Sequence, residues 1–307
     1  MKWRKLGLIY QPTFQSSLFD HSAMVPTPIA VTDDSITFLV TRCSKDGIGR
    51  AAQVTLAPER TSPILSEVPE PVLDIGRPGM FDDNGVVPCC QISLPSGQQI
   101  LYYVGFELST KIRYRLFSGA AVRENASAPF VRKYETPILD RRPGEAFFRG
   151  GPFVLQEGNL FRMWYVAGDE WIEVGGHVKP VYEIRYLESS DPLNWVGAGQ
   201  VCLRLGPDDH GFGRPWVVKS DGRYQMFFSR RSLKHQGAYR LGYAESDNGF
   251  EWHRKDSDLN LDVSEDGWDS QAIMYSAIIN YQNQTWCFYN GNEFGREGFG
   301  AAVLEKP

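Results

Sequence analysis

A short apolar run opened by proline returns along the chain, as Pro28-Ile29-Ala30-Val31, Pro88-Cys89-Cys90-Gln91-Ile92, Pro152-Phe153-Val154-Leu155 and Pro215-Trp216-Val217-Val218. A fifth copy, Ser276-Ala277-Ile278-Ile279, has serine in place of proline. Successive openers lie 60, 64, 63 and 61 residues apart, and five such units account for all 307 residues. Self-similarity at one period is the mark of a repeat architecture. Each opener leads through a polar turn into an aromatic run, as in Glu157-Gly158-Asn159-Leu160-Phe161-Arg162-Met163-Trp164-Tyr165, which is a hairpin pattern. A third strand follows, such as Tyr182–Leu187 or Tyr239–Ala244, then a turn ending in Trp195 or Trp252 and a fourth strand. Four antiparallel strands per unit predict the blades of an all-β, five-bladed β-propeller, forming a single domain over residues 1–307.

After the fifth opener only three strands remain. Trp3–Tyr10, which begins with tryptophan as the fourth strands do, is expected to supply the missing one and close the ring on the last blade. The prolines are expected at the starts of the innermost strands, where no ladder bond is lost.

Composition narrows the function. Charged residues are interspersed and the net charge is −5, so there is no basic stripe for a phosphate backbone, and nucleic acid is not an expected partner. The N-terminal apolar run is too short for a signal-peptide core and no segment is long enough to span a bilayer, so a cytoplasmic protein without a membrane partner is expected. Cys43, Cys89, Cys90, Cys202 and Cys287 form an odd set without a CxxC pair and read as buried thiols. With no HExxH, Walker loop or nucleophile elbow, neither a metal nor a cofactor is expected.

In a propeller the residues before each opener and after each second strand converge on one mouth of the central channel. Convergent polar groups there are the default site. Before the openers this places His21, Asp82, Asp83, Glu145, Arg149, His210, Arg214, Asp269 and Tyr275; after the second strands come Arg42, Glu107, Glu170, Arg230 with Arg231, and Glu293. Asp82, Asp83, Glu145 and Asp269 are the candidate catalytic groups, because neighbouring carboxylates can split their pKa values into an acid and a base. His21, Arg42, Arg149, Glu170, Arg214, Arg230, Tyr275 and Glu293 are the candidate ligand-binding groups. Several arginines at one mouth suggest an anionic ligand, since the guanidinium fork grips carboxylate or phosphate with paired hydrogen bonds. The competing structural readings are that Asp82-Asp83-Asn84-Gly85 is turn chemistry and that the arginines tie blades together through backbone carbonyls.

The openers, the Tyr243–Gly249 stretch leading to Trp252, Gly267-Trp268-Asp269-Ser270 and the terminal Tyr289-Asn290-Gly291-Asn292…Gly298-Phe299-Gly300-Ala301-Ala302 resemble the five-bladed propeller superfamily of glycoside hydrolase families 43, 32 and 130 over the whole chain. The Ser246–Trp252 turn is similar to the Asp-box of sialidase-like propellers, where its role is structural. The resemblance implies a carbohydrate ligand. Families 43 and 32 carry an Asp just before the first opener and a Glu two residues before the third; here Thr27 and Gly150 stand in those places, and only Asp82 and Asp83 keep a family-like placement. Glu145 is the expected replacement acid, with Asp269 facing it. The first functional expectation is therefore a glycosidase-like protein acting on an anionic sugar, sugar phosphate or polysaccharide intermediate. The alternative is a catalytically silent sugar-binding propeller in polysaccharide assembly, which carboxylates all engaged by arginines would favour. A protein-interaction propeller is the weaker third.

Overall fold

The computed structural model describes residues 1–305, and these are almost entirely β-structure. Strand β1 is Trp3–Tyr10. It is followed by four meanders: β2 to β5 (His21–Val31, Ile36–Cys43, Gly49–Leu56, Ile64–Glu67), β6 to β9 (Val86–Ser93, Gln99–Leu108, Tyr114–Arg123, Val131–Arg132), β10 to β13 (Phe148–Glu157, Leu160–Val174, His177–Ser189, Gln200–Leu203) and β14 to β17 (Asp209–Ser220, Arg223–Ser232, Tyr239–Ser246, His253–Arg254). Strands β18 to β20 (Met274–Tyr281, Gln284–Asn290, Phe299–Leu304) come last. Every meander pairs antiparallel in sequence order, and β1 pairs antiparallel with β20, Trp3 facing Leu304 and Tyr10 facing Phe299. The chain's first strand thus supplies the fourth strand of its last sheet, as expected. The first strands of the units touch in cyclic order, β2 to β6 to β10 to β14 to β18 and back to β2.

The prolines do not start these strands. Pro152 and Pro215 lie well inside β10 and β14, each at a break in register, between Gly150 and Phe153 and between Gly213 and Trp216. The same break falls between Met274 and Ala277 around Ser276. The residue just before each of these three openers takes a left-handed backbone, with φ of 61° at Gly151, 43° at Arg214 and 58° at Tyr275. A β-bulge frees the opener from the ladder, so proline is tolerated in mid-strand and the strand bends there.

Aromatic residues of neighbouring units fill the space between sheets. Trp164 of β11 is fully buried and donates from Nε1 to the carbonyl of Gly249, 2.7 Å away in the turn of the next unit. Within that turn Ser246 Oγ accepts from the Asn248 and Gly249 amides, and Trp252 stands edge-on to Trp164 at 6.3 Å. The Asp-box-like turn is a clasp between units. All five cysteines are buried and free. No helix among the described residues is long and apolar enough to cross a membrane.

Candidate functional site

A cavity of about 670 Å³ opens where the second strands end, with walls from all five units. His21, Ser22 and Met24 come from the start of β2, Asn84 and Gly85 from the approach to β6, and Phe106 and Tyr114 from β7 and β8. Lys179 and Tyr182 lie on β12, Arg231 ends β15, Tyr239 begins β16, and Glu293, Phe294 and Arg296 follow β19.

Cations outnumber carboxylates on this surface. Arg113, Lys179, Arg231 and Arg296 line it, against the single carboxylate of Glu293. Arg296 and Glu293 approach to 3.9 Å, which leaves three cations without an acid partner among the described residues. Arg231 is the most enclosed. It is buried, its guanidinium carbon sits 4.4 Å above the Tyr239 ring, and its Nε has no acceptor among the described residues. A buried guanidinium without acceptors carries a desolvation cost that a ligand's oxygens would offset. Burial lowers the pKa of Lys179, and the nearby charges of Arg231 and Arg113 lower it further. The long hairpin of β11 and β12, which pairs Ile172 with Lys179, brings that lysine over the mouth and braces itself by Trp171 edge-on to Tyr114 at 5.2 Å.

Hydroxyl donors complete the surface. Tyr182 and Tyr239 are joined hydroxyl to hydroxyl at 3.0 Å, and burial holds Tyr182 and Tyr275 well above the ordinary tyrosine range, so both keep their protons. His21 bonds Ser22 Oγ through Nδ1 at 2.7 Å. Burial and then Arg296 lower its pKa, which leaves it neutral near pH 7. Ser22, Tyr275, Glu293 and Phe294 all have positive φ between 50° and 68°. Such strained backbone clusters at ligand sites.

Below the mouth the cavity narrows to an apolar neck of about 120 Å³, walled by Val25, Val87, Cys89, Val104, Gly151 and Val166. Arg214 lies at its side. Its Nη1 donates to the carbonyls of Tyr275 and Ser276 and its Nη2 to the Pro26 carbonyl and Thr27 Oγ1. Burial pushes its pKa down to about 10.

Of the candidate residues, His21, Tyr275 and Glu293 line the mouth and Arg214 the neck. The other candidates lie elsewhere. Asp82, Glu145 and Asp269 are buried in equivalent cradles, each accepting from a second-strand tyrosine and a cation: Asp82 from Tyr103 at 3.0 Å and Arg132 at 2.7 Å, Asp269 from Tyr289 at 3.0 Å and Lys5 at 2.7 Å. Glu145 accepts from Tyr165 at 3.0 Å, Arg185 at 2.7 Å and the Gly199 amide, and pairs with Arg149 Nε. Asp83 closes a turn by accepting from the Gly79 amide at 2.8 Å, while its neighbour Asn84 faces the cavity. Arg42 is spent on the carbonyls of Phe14 and Phe19, and Arg149 on those of Asp140 and Gly197. Arg230 turns to Asp209 and Asp256, and Glu170 is exposed on the outside of its hairpin. Arg113, Lys179 and Arg231 are cavity-lining cations that the candidate set lacks. Arg231 follows Arg230 directly, and strand alternation decides which of the two faces inward. Lys179 lies beyond the point where the second strand of that unit is expected to end. Among the described residues, no group of three or more His, Cys, Asp or Glu side chains is placed to hold a metal ion.

No protein-family model matches the sequence. The chain is 33% identical over 308 residues to the uncharacterized protein Rv1502 of Mycobacterium tuberculosis (strain ATCC 25618 / H37Rv), covering 99% of this chain and 100% of that one. The chain belongs to the Rv1502 family. Over 132 residues, 40% of this chain and 43% of the relative, it is 26% identical to the 1,2-beta-oligomannan phosphorylase of Thermoanaerobacter sp. (strain X514). Among solved structures, a glycoside hydrolase superposes with a TM-score of 0.74 at 18% identity, over 99% of this chain and 92% of that one. A thermostable family-43 glycoside hydrolase superposes with a TM-score of 0.68 at 15% identity, over 95% and 91%. This member of the Rv1502 family therefore has the fold of the glycoside hydrolase family 43 propellers, as the resemblance in its repeats implied.

Proposed function

We propose that this protein is a carbohydrate-active, single-domain propeller of five blades, each meander being one blade, which binds a phosphorylated sugar at the channel mouth. The fold supports carbohydrate as the ligand class by analogy. Arg231, buried without an acceptor beside Lys179 and Arg113, is the observation that carries the anion. Three uncompensated cations match a phosphomonoester dianion better than a single carboxylate, and the guanidinium fork matches phosphate geometry. The tyrosine hydroxyls and His21 are placed to hydrogen-bond the sugar.

Recognition is the reading supported best. Glycoside hydrolysis uses two carboxylates flanking the scissile bond, and Asp82, Glu145 and Asp269 are each committed to a cation and a tyrosine away from the cavity. A second reading, favoured by the partial match to a phosphorylase, is phosphorolysis. Phosphate held on the three cations would attack the anomeric carbon, the glycosidic C–O bond would break, and the leaving oxygen would take the proton that the attacking hydrogen phosphate gives up.

Calorimetric titration with mannose 1-phosphate and with mannose tests the proposal. The phosphate ester is expected to bind at least about tenfold more tightly, the scale of one charge-assisted hydrogen bond. Equal affinity for the two would overturn it. Formation of a sugar 1-phosphate from an oligosaccharide and phosphate, followed by phosphorus NMR, separates phosphorolysis from binding alone.

A further inference from the structure

The apolar neck beneath the mouth is not accounted for by a phosphate and a ring of hydroxyls. It shares Met24, Val87, Phe106, Tyr182, Tyr239 and Tyr275 with the mouth, so the two adjoin. Tyr239 joins its two halves directly: Arg231 lies over its ring, and the same residue walls the neck. The positions at which the resembled families carry an Asp and a Glu are Thr27 and Gly150 here, the first bonded to the neck residue Arg214 and the second next to Gly151. Thr27 Oγ1 accepts from Arg214, and the neighbouring Gly151 and Val25 present only apolar surface. Arg214, the one charged group on the wall, directs its Nη donors to four oxygens of the protein itself. Only its Nε lacks an acceptor among the described residues. A sugar hydroxyl set against Val87, Val104 and Val166, on the part of the wall away from Tyr182, Tyr239 and Tyr275, would lose its water and face only aliphatic side chains, a penalty a hydrocarbon group does not meet.

We propose that the ligand is amphipathic: a phosphorylated sugar bearing a short apolar substituent, such as a deoxy-sugar methyl or a short alkyl or acyl group, with the phosphate on Arg231, Lys179 and Arg113 and the substituent in the neck. This rests on the anion reading above and adds the group that selects among phosphorylated sugars. At about 30 Å³ per water-sized group, the 120 Å³ neck holds about four such groups.

The test uses the full chain and simple probes: inorganic phosphate, then methyl, ethyl, propyl, butyl and hexyl phosphate, with 4-hydroxybutyl phosphate as the polar arm. Affinity is expected to rise about fourfold per buried carbon, to level off after about four carbons, and to fall when the chain ends in a hydroxyl. Val166→Phe is expected to abolish the rise while leaving inorganic phosphate affinity within about twofold of the unsubstituted chain, on the ground that surface apolar contacts alone are being exchanged. Val104→Phe, at a second position that lines the neck and not the mouth, serves if that variant fails to fold. A flat series with inorganic phosphate still bound would overturn the neck assignment alone, as would a preference for the hydroxyl-ended chain. Failure to bind inorganic phosphate at all would remove the anion site and the neck assignment with it.

Discussion

Asp82, Glu145 and Asp269 are one structural device used three times: a buried carboxylate six or seven residues before an opener, held by a second-strand tyrosine and a cation. Their spacing was legible in the sequence, but not that each is bound to a tyrosine and a cation away from the cavity. These three carboxylates recur with the repeat, whereas Arg231 and Lys179, which line the cavity, do not. Glu145→Gln should cost about 3–5 kcal/mol of stability by leaving the buried Arg149 without a carboxylate, with phosphate affinity unchanged in the folded fraction, as urea unfolding and calorimetry on the same variant would show. Lys179 gives the site a pH signature. Its pKa is lowered from 10.5 by burial and by the charges of Arg231 and Arg113, so the ammonium is lost at a lower pH than that of an ordinary lysine. On the acid side, phosphate loses its second charge below about pH 6. Affinity should therefore plateau from there upward and fall again before pH 10.5, and Lys179→Met should lower the plateau and abolish the alkaline fall, in titrations across that range.

Strands explain most of what the sequence hid. Hairpins, aromatic second strands and the Trp252 turn were readable because each rests on local patterning. Bulges were not, because a left-handed residue inside a strand has no signature when it is arginine or tyrosine. Strand parity downstream of a bulge is equally hidden, and Arg230 and Arg231 differ by one step of it. The same bulges give an element-scale prediction. Ser276 stands where Pro152 and Pro215 stand, and its buried hydroxyl has no partner among the described residues. Ser276→Pro should stabilise the fold by about 0.4–1 kcal/mol, as proline does where the backbone already suits it. A lowered melting temperature would show that the fifth bulge differs from the others.

At the scale of the whole molecule, the period of the openers foretold both the cyclic order of the inner strands and the pairing of Trp3–Tyr10 onto the last sheet. Net charge foretold nothing about the site. The chain carries −5 overall, yet concentrates unpaired cations in one mouth, because charges committed to structural pairs cancel locally while those at the cavity do not. That contrast predicts strong salt sensitivity for ligand binding. The most direct measurement is the affinity for inorganic phosphate of the unsubstituted chain, Arg231→Gln and Arg230→Gln, side by side at low salt. Arg231→Gln should weaken binding at least about tenfold, while Arg230→Gln, whose side chain is bound to Asp209 and Asp256, should leave it unchanged. Undiminished binding by Arg231→Gln, or loss confined to Arg230→Gln, would contradict an anion site built on the inward-facing arginine.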